Sequence, residues 1–123
     1  MLKEKEIKLY PIGVAYQTDK EDTMRIVIHP KYVDGLEGIE KLEHIYVLYW
    51  MDRLREEDRK TLKVHPRGDL NKPLRGVFSL RSPIRPNPIG LTRVKLLKRE
   101  GNTLFVKGLD ALDGSPIIDI KSG

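Results

Sequence analysis

Two short stretches hold the residue types from which a binding site can be built. The first is Arg81-Ser82-Pro83-Ile84-Arg85-Pro86-Asn87-Pro88-Ile89-Gly90. Its three prolines fix φ at about −65° and push the residue before each out of the helical region. The segment is therefore extended, stiff and poor in backbone N–H donors. Arg81, Arg85 and Asn87 are mounted on this rod. Planar, multi-donor side chains on a stiff backbone suit an anionic or carbonyl-rich ligand, because little freedom is left to lose on binding. The same pattern also describes a rigid surface crossover with solvated arginines. The second stretch is Asp110-Ala111-Leu112-Asp113-Gly114-Ser115-Pro116, with Asp119 and Lys121 just beyond. Carboxylates at 110 and 113 in one turn can accept from a ribose diol or an amine, or attract a cation. Asp113-Gly114 is also ordinary turn chemistry, and Asp119, between Ile118 and Ile120, also reads as a solvated strand face. If the fold brings the two stretches together, they supply cation and anion partners for a zwitterionic ligand.

Other chemistries find little support. His29, His44 and His65 are scattered, with no pair on one local face, so no metal site is expected. There is no nucleophile elbow, Walker or Rossmann signature, because Gly35-Leu36-Glu37-Gly38 lacks both a third glycine and a preceding strand. The absence of cysteine excludes a disulfide scaffold and thiol chemistry and fits a reducing cytoplasm. No apolar run approaches a membrane span, and the N-terminal MLKEKEIKLY lacks a signal-peptide apolar region. The 123 residues suit one domain with a real core. At 39% hydrophobic and 33% charged residues the chain is globular, not disordered. Its net charge of +5 is compatible with a polyanion partner.

The scaffold for these stretches reads as mostly strand. Residues 7–16 and 24–29 are rich in β-formers, the second run being ended by Pro30. Leu36, Ile39 and Leu42 recur at helical spacing, which predicts a short helix over 34–42 with Asp34 as N-cap. Residues 44–51, HIYVLYWM, are apolar at both alternating sets, which predicts a central strand covered on both faces. Tyr46, Tyr49 and Trp50 accordingly read as core more readily than as base-stacking platforms. A charged loop or helical turn over 55–60, a short strand at 62–65 and a flexible excursion over 66–75 follow, and 76–80 leads into the rod as a strand. Runs 91–100 and 103–109 flank Gly101-Asn102 as a β-hairpin, and 117–120 is the last strand. About seven strands and one or two short helices, joined mostly by turns, make the chain mainly β. A single-domain antiparallel β-barrel is the favoured architecture.

The blocks GVFSLRSPIRPNPIGLTRVKLL (76–97) and LDALDGSPIIDIK (109–121) resemble the TrmO family, also called TsaA-like proteins. GLEGIEKLEHIYVLYW (35–50) and PIGV (11–14) are similar to that family's lead into its central strand and its opening, so the resemblance covers nearly the whole chain. It implies a β-barrel methyltransferase, distinct from Rossmann-type enzymes, that uses S-adenosylmethionine. It further implies methylation of N6 of threonylcarbamoyl-modified adenosine at position 37 of tRNA. A homodimer is implied, with the cofactor near the subunit interface and the tRNA anticodon loop as partner, and the cysteine-free composition makes the cytoplasm the expected location. The cofactor contacts implied are Arg81, Leu91, and the run Asp110, Ala111, Leu112 and Asp113. Asp52 and Arg53 sit where the family also contributes a contact, often with a different pair. Arg85, Asn87 and Lys121 are left to substrate or dimer mate. No metal and no particular catalytic residue is implied. The family's Ser-Pro after its first Ile-Gly is replaced here by Ala15-Tyr16-Gln17-Thr18, and its closing Ile-Lys-Pro-Tyr by Ile120-Lys121-Ser122-Gly123. The expectation is one TsaA-like domain over 1–123 without the C-terminal extension of bacterial members. The alternative is a non-catalytic barrel that holds S-adenosylmethionine or RNA as sensor or scaffold.

Overall fold

Apolar residues at every second position become strands that bury one face, and six of these strands close on themselves. In the structure, a computed structural model that describes residues 4–123, the strands are β1 (Gly13–Gln17), β2 (Thr23–Ile28), β3 (His44–Trp50), β4 (Lys63–Val64), β5 (Arg75–Gly76), β6 (Ile89–Glu100), β7 (Thr103–Lys107) and β8 (Ser115–Ser122). Residues 1–3, the start of the segment read as lacking a signal-peptide region, lie outside those described. The closed barrel runs β1-β2-β7-β6-β3-β8, with β8 paired back onto β1 and every neighbouring pair antiparallel. β4 and β5 form a separate two-stranded ribbon. The chain is thus mainly β and barrel-shaped, as its sequence pattern implies.

Closure removes the exposed edges that an open sheet of this size would carry. The interior is filled by branched aliphatics: Ile26, Ile45, Val47, Leu104, Val106 and Ile117 are all fully buried. Each such side chain contributes on the order of 1.5–3 kcal/mol by leaving water.

Several sequence expectations are corrected. The predicted helix over 34–42 is instead two short 3-10 helices, Pro30–Leu36 and Ile39–Lys41. Pro30 opens the first, and Gly38, at φ +85°, breaks the chain between them. Asp34 therefore sits inside a helical turn and caps nothing, while Leu36 and Ile39 are buried in the barrel core. β3 is half-buried, not covered on both faces. Ile45, Val47 and Tyr49 point inward, but Tyr46 is 36% exposed. The outward Trp50 owes its partial cover to Arg59, whose guanidinium lies 5.5 Å from the ring centre. The predicted strand over 76–80 ends at Gly76, and Val77–Ser79 is a 3-10 turn. The hairpin at Gly101-Asn102 forms as read, between β6 and β7.

Two irregularities shape the end of the barrel where β3 finishes and β6 starts. The β3–β8 register slips between Leu48 and Tyr49, leaving Ile118 as an extra residue on β8. Tyr49 pairs with Gly90, and a Cβ at position 90 would run into the tyrosine ring. Glycine is required there because the ring lies across the neighbouring backbone. Gly90→Ala should destabilise the fold by about 1–3 kcal/mol through overpacking, read as a lower urea midpoint at unchanged m-value.

Candidate functional site

The rod is held by arginine. With its prolines offering no N–H, the carbonyls of this region need donors from elsewhere. Arg85 supplies three of them. Its Nε donates to the Ser82 carbonyl at 2.7 Å, and one terminal nitrogen donates to the carbonyls of Val77 and Leu80, both at 2.6 Å. Arg59 Nε donates to the Pro86 carbonyl at 2.8 Å, and the Met51 N–H donates to the Pro88 carbonyl at 2.8 Å. Arg85 is thus engaged inside its own loop. Arg81, four residues earlier, is exposed, and no carboxylate among the described residues pairs with it.

The rod, the end of β3, the start of β6 and the β7–β8 turn surround a cleft of about 830 Å³. Arg81, Leu91, Asp110, Ala111 and Leu112 line it, and so do Asp52 and Arg53. Arg85 borders it as well. The two stretches that sequence alone could only pair conditionally therefore face one cavity.

Three candidates lie elsewhere. Asp113 turns away from the cleft: its Oδ1 accepts from the Gln17 N–H at 2.8 Å, and its carbonyl accepts from Arg53 at 2.6 Å. It ties the β7–β8 turn to β1 and steadies Arg53. Asn87 is exposed and outside the cleft. Lys121 lies towards the other end of β3, opposite Tyr46 and 3.6 Å from Asp119, beside a different cavity of about 580 Å³. The β7–β8 turn itself is set by Gly108 and Gly114, both at positive φ, and by Ser115 Oγ donating to the Leu112 carbonyl at 2.7 Å.

Among the residues of the cleft that the sequence does not single out are two that bear hydroxyls. Tyr49 and Thr92 both line it, with their hydroxyls 3.1 Å apart. Burial pushes the Tyr49 phenol above the usual range, and Asp110 pushes it the same way. The Thr92 hydrogen bond and the Arg81 charge act in the opposite direction. Arg81 and Asp110 thus both bear on one buried hydroxyl. A periodicity reading sees only a large ring in an apolar strand. Only the strand register, which sets Tyr49 against the glycine that closes the rod, marks it out. Among the described residues no group of three or more His, Cys, Asp and Glu could hold a metal, and no helix is long and apolar enough to cross a membrane.

The profile of the tRNA-methyltransferase O N-terminal domain matches residues 8–122. The chain belongs to this TrmO family. A probable S-adenosyl-L-methionine-binding protein of Methanocaldococcus jannaschii is 48% identical over 114 residues, 92% of this chain and 89% of that one. The mouse tRNA (adenine(37)-N6)-methyltransferase is 43% identical over 87 residues, 71% of this chain but 20% of its own length. The solved TrmO of Pseudomonas aeruginosa superposes with a TM-score of 0.75 at 25% identity, over all of this chain and 57% of that one. This TrmO barrel therefore spans little more than half the length of that bacterial structure.

Two outcomes follow from the geometry. Arg85→Lys keeps the charge but cannot reach three carbonyls, so it should cost the TrmO barrel about 1–3 kcal/mol in urea denaturation. For Tyr49, a folded-state value above the unfolded one favours the neutral phenol. Its contribution is full below the unfolded value and is lost as pH rises through the higher folded one. The stability difference between wild type and Tyr49→Phe should accordingly stay constant up to the ordinary phenol value of about 10 and shrink only as pH rises beyond it, followed by thermal melting.

Proposed function

We propose that the cleft binds S-adenosylmethionine and that the protein transfers its methyl group to N6 of threonylcarbamoyl-modified adenosine at position 37 in the tRNA anticodon loop, in the cytoplasm. The observation that carries this reading is the meeting of Arg81 and Asp110 in one cleft with apolar walls. The residues suit a ligand with a carboxylate, an ammonium, a ribose and a flat base. Arg81 offers a planar fork for the carboxylate. Asp110, aided by Asp52, accepts from the ammonium or the ribose diol, and Leu48, Leu91 and Leu112 supply apolar surface for the base.

When bound, the sulfonium supplies an electrophilic methyl group and departs as a neutral thioether. N6 of the modified adenosine, a ureido nitrogen with a single hydrogen, would take the methyl as the C–S bond broke and would give that proton to water or a carboxylate. Little acid–base work is asked of the protein. Its part is to hold the acceptor nitrogen in line with the breaking bond, and positioning of this kind can supply much of the barrier reduction. Tyr49, kept neutral, and Thr92 provide hydroxyls that can accept a hydrogen bond from the N6–H of the modified base. Their place in the cleft with Arg81 and Asp110 is the reason to expect them near the reacting centre.

The same reading includes a homodimer. Leu70, Leu74 and Leu80, together with the cations Lys63, Arg67, Lys72 and Arg75, line a groove of about 1200 Å³ that shares Arg81 with the cleft. A second copy whose leucines seat there and whose carboxylates meet those cations would complete the wall beside the cofactor. A concentration-dependent sedimentation shift that Leu70→Asp abolishes is the expected result.

Calorimetry with S-adenosylmethionine, followed by transfer of labelled methyl to modified tRNA, tests the activity. Arg81→Ala and Asp110→Asn should each lower cofactor affinity roughly 10- to 100-fold, the effect of losing one charge-assisted bond. Unchanged binding in both variants would remove the cleft from consideration. A second reading has support from the archaeal relative, whose name extends only to S-adenosylmethionine binding. Tight binding with no label transferred to a modified tRNA is the result that would favour it.

A further inference from the structure

The outer face of β6 and its neighbours carries a surface that the cleft does not use. Lys95 lies directly opposite Lys107 on one side and His44 on the other. One step along the barrel, a row of paired positions runs from Lys98 to Phe105, Arg25 and Tyr16 across four strands. One step the other way, Arg93 pairs with Tyr46, and Tyr46 with Lys121. Cations and aromatic rings therefore alternate around the barrel wall. Lys98 lies 4.7 Å from the centre of the Phe105 ring, and Arg25 lies 4.6 Å from that of Tyr16. Two carboxylates on these strands are engaged, Glu100 with Lys98 at 2.8 Å and Asp119 with Lys121 at 3.6 Å. Glu43 and Asp22 stand at the strand ends, their carbonyls accepting from the Leu96 and Gly108 N–H groups beside Lys95 and Lys107. Arg25, Arg93, Lys95 and Lys107 have no carboxylate partner among the described residues.

Like charges directly opposite one another on antiparallel strands destabilise a sheet. The Lys95–Lys107 pair is such a contact by register, and neither lysine has a carboxylate within ion-pair distance among the described residues. A repulsion retained in the folded protein is relieved when a polyanion covers it. Aromatic rings interleaved with the cations narrow the polyanion to one that carries flat groups along a charged backbone, which is a nucleic-acid strand. Arg93 also lines the cleft, so the face begins at the cleft's edge and leads away from it along β6. Outward positions two apart on a strand are roughly 7 Å apart, which sets Arg93 and Lys95 in a row.

We propose that this face is the RNA track of the protein. Phosphates flanking the target nucleotide lie against Arg93, Lys95 and Lys107, and Tyr46 and Phe105 offer stacking surface. The proposal rests on the reading of tRNA as substrate, but it assigns the RNA to a face that the family match does not specify. The face is poorly suited to pair with its own copy, because an isologous contact would set these lysines against themselves.

The test separates the two readings. Lys107→Glu turns the repulsive pair into an attractive one, and Lys95→Ala with Lys107→Ala removes it. Neither position lines the cleft. Both variants should melt at or above the wild-type temperature and bind S-adenosylmethionine as wild type does. For an anticodon stem-loop RNA in a salt titration, Lys107→Glu should weaken binding about tenfold or more. The double-alanine variant should flatten the dependence of log K on log salt by roughly 1.4, for two phosphates released from a single strand. Tyr46→Ala should weaken binding about fivefold or more with the salt slope unchanged, as lost stacking requires. If wild type binds and methylates the RNA while the lysine variants match it in affinity and slope, the track is overturned and the tRNA reading stands. If wild type binds no RNA at any salt, both fall. If the lysine variants change the sedimentation of the protein and leave RNA affinity alone, the face belongs to a second copy and the proposal is wrong.

Discussion

A proline-rich loop cannot hydrogen-bond itself into place. The segment from Pro83 to Pro88 has too few N–H groups to satisfy the carbonyls around it, and the 3-10 turn before it adds more free acceptors. Arg85 resolves this by donating to three carbonyls from one guanidinium, and Arg59 and the Met51 amide hold the far end. Only arginine has the planar fork to do this from a single position. The consequence reaches the cleft, because a braced loop presents Arg81 from a fixed backbone. A loop that moved would lose on ordering part of what its charge gains on binding.

The barrel sets where that loop can act. β6 begins at the rod's last residues and β3 ends beside them, so the register that pairs Trp50 with Ile89 and Tyr49 with Gly90 also fixes the loop against the barrel's end. The extra residue at Ile118 brings β8 into this corner, and the preceding turn delivers Asp110. The site thus draws on residues some thirty apart in sequence, from Arg81 to Asp110, through local pairings and not through a dedicated domain. Asp113 is held by Gln17 and in turn holds Arg53, so it contributes rigidity at one remove from the ligand.

Much of this was legible in the residue order. The hairpin at Gly101-Asn102, the strand character of most segments and the two chemistry-bearing stretches all follow from local rules of turn residue and alternation. What was not legible depends on neighbours in space. Nothing in Arg85 or Arg81 alone says that one is consumed by carbonyls and the other is left open, since the difference lies in the path of residues 77–82. Asp110 and Asp113 share a turn and a residue type, yet β1 captures only the second. The two apolar sets of β3 look equally suited to burial, and only closure of the barrel decides that Tyr46 faces out and Tyr49 faces in. Gly38 was a visible warning against a continuous helix, and the 3-10 break there shows that a left-handed glycine outweighs three well-spaced leucine and isoleucine residues.

The surplus of positive charge has a structural location, and that makes it informative. A net charge of +5 spread evenly would say little beyond solubility. Here the two carboxylates within the strands of the β6 wall, Glu100 and Asp119, are already paired, and a lysine faces a lysine across β6 and β7. Folding alone gives no reason to keep that contact, since a glutamate or threonine at either position would pair better. Sheets do tolerate such defects where binding compensates for them. The cleft shows the complementary arrangement, with opposite charges brought together around a neutral hydroxyl pair instead of like charges left apart. A small zwitterion needs both signs at close range, whereas a phosphate strand needs one sign repeated at intervals. The two surfaces meet at Arg93, which belongs to both, so a strand lying on the wall would reach the cleft's edge at that residue.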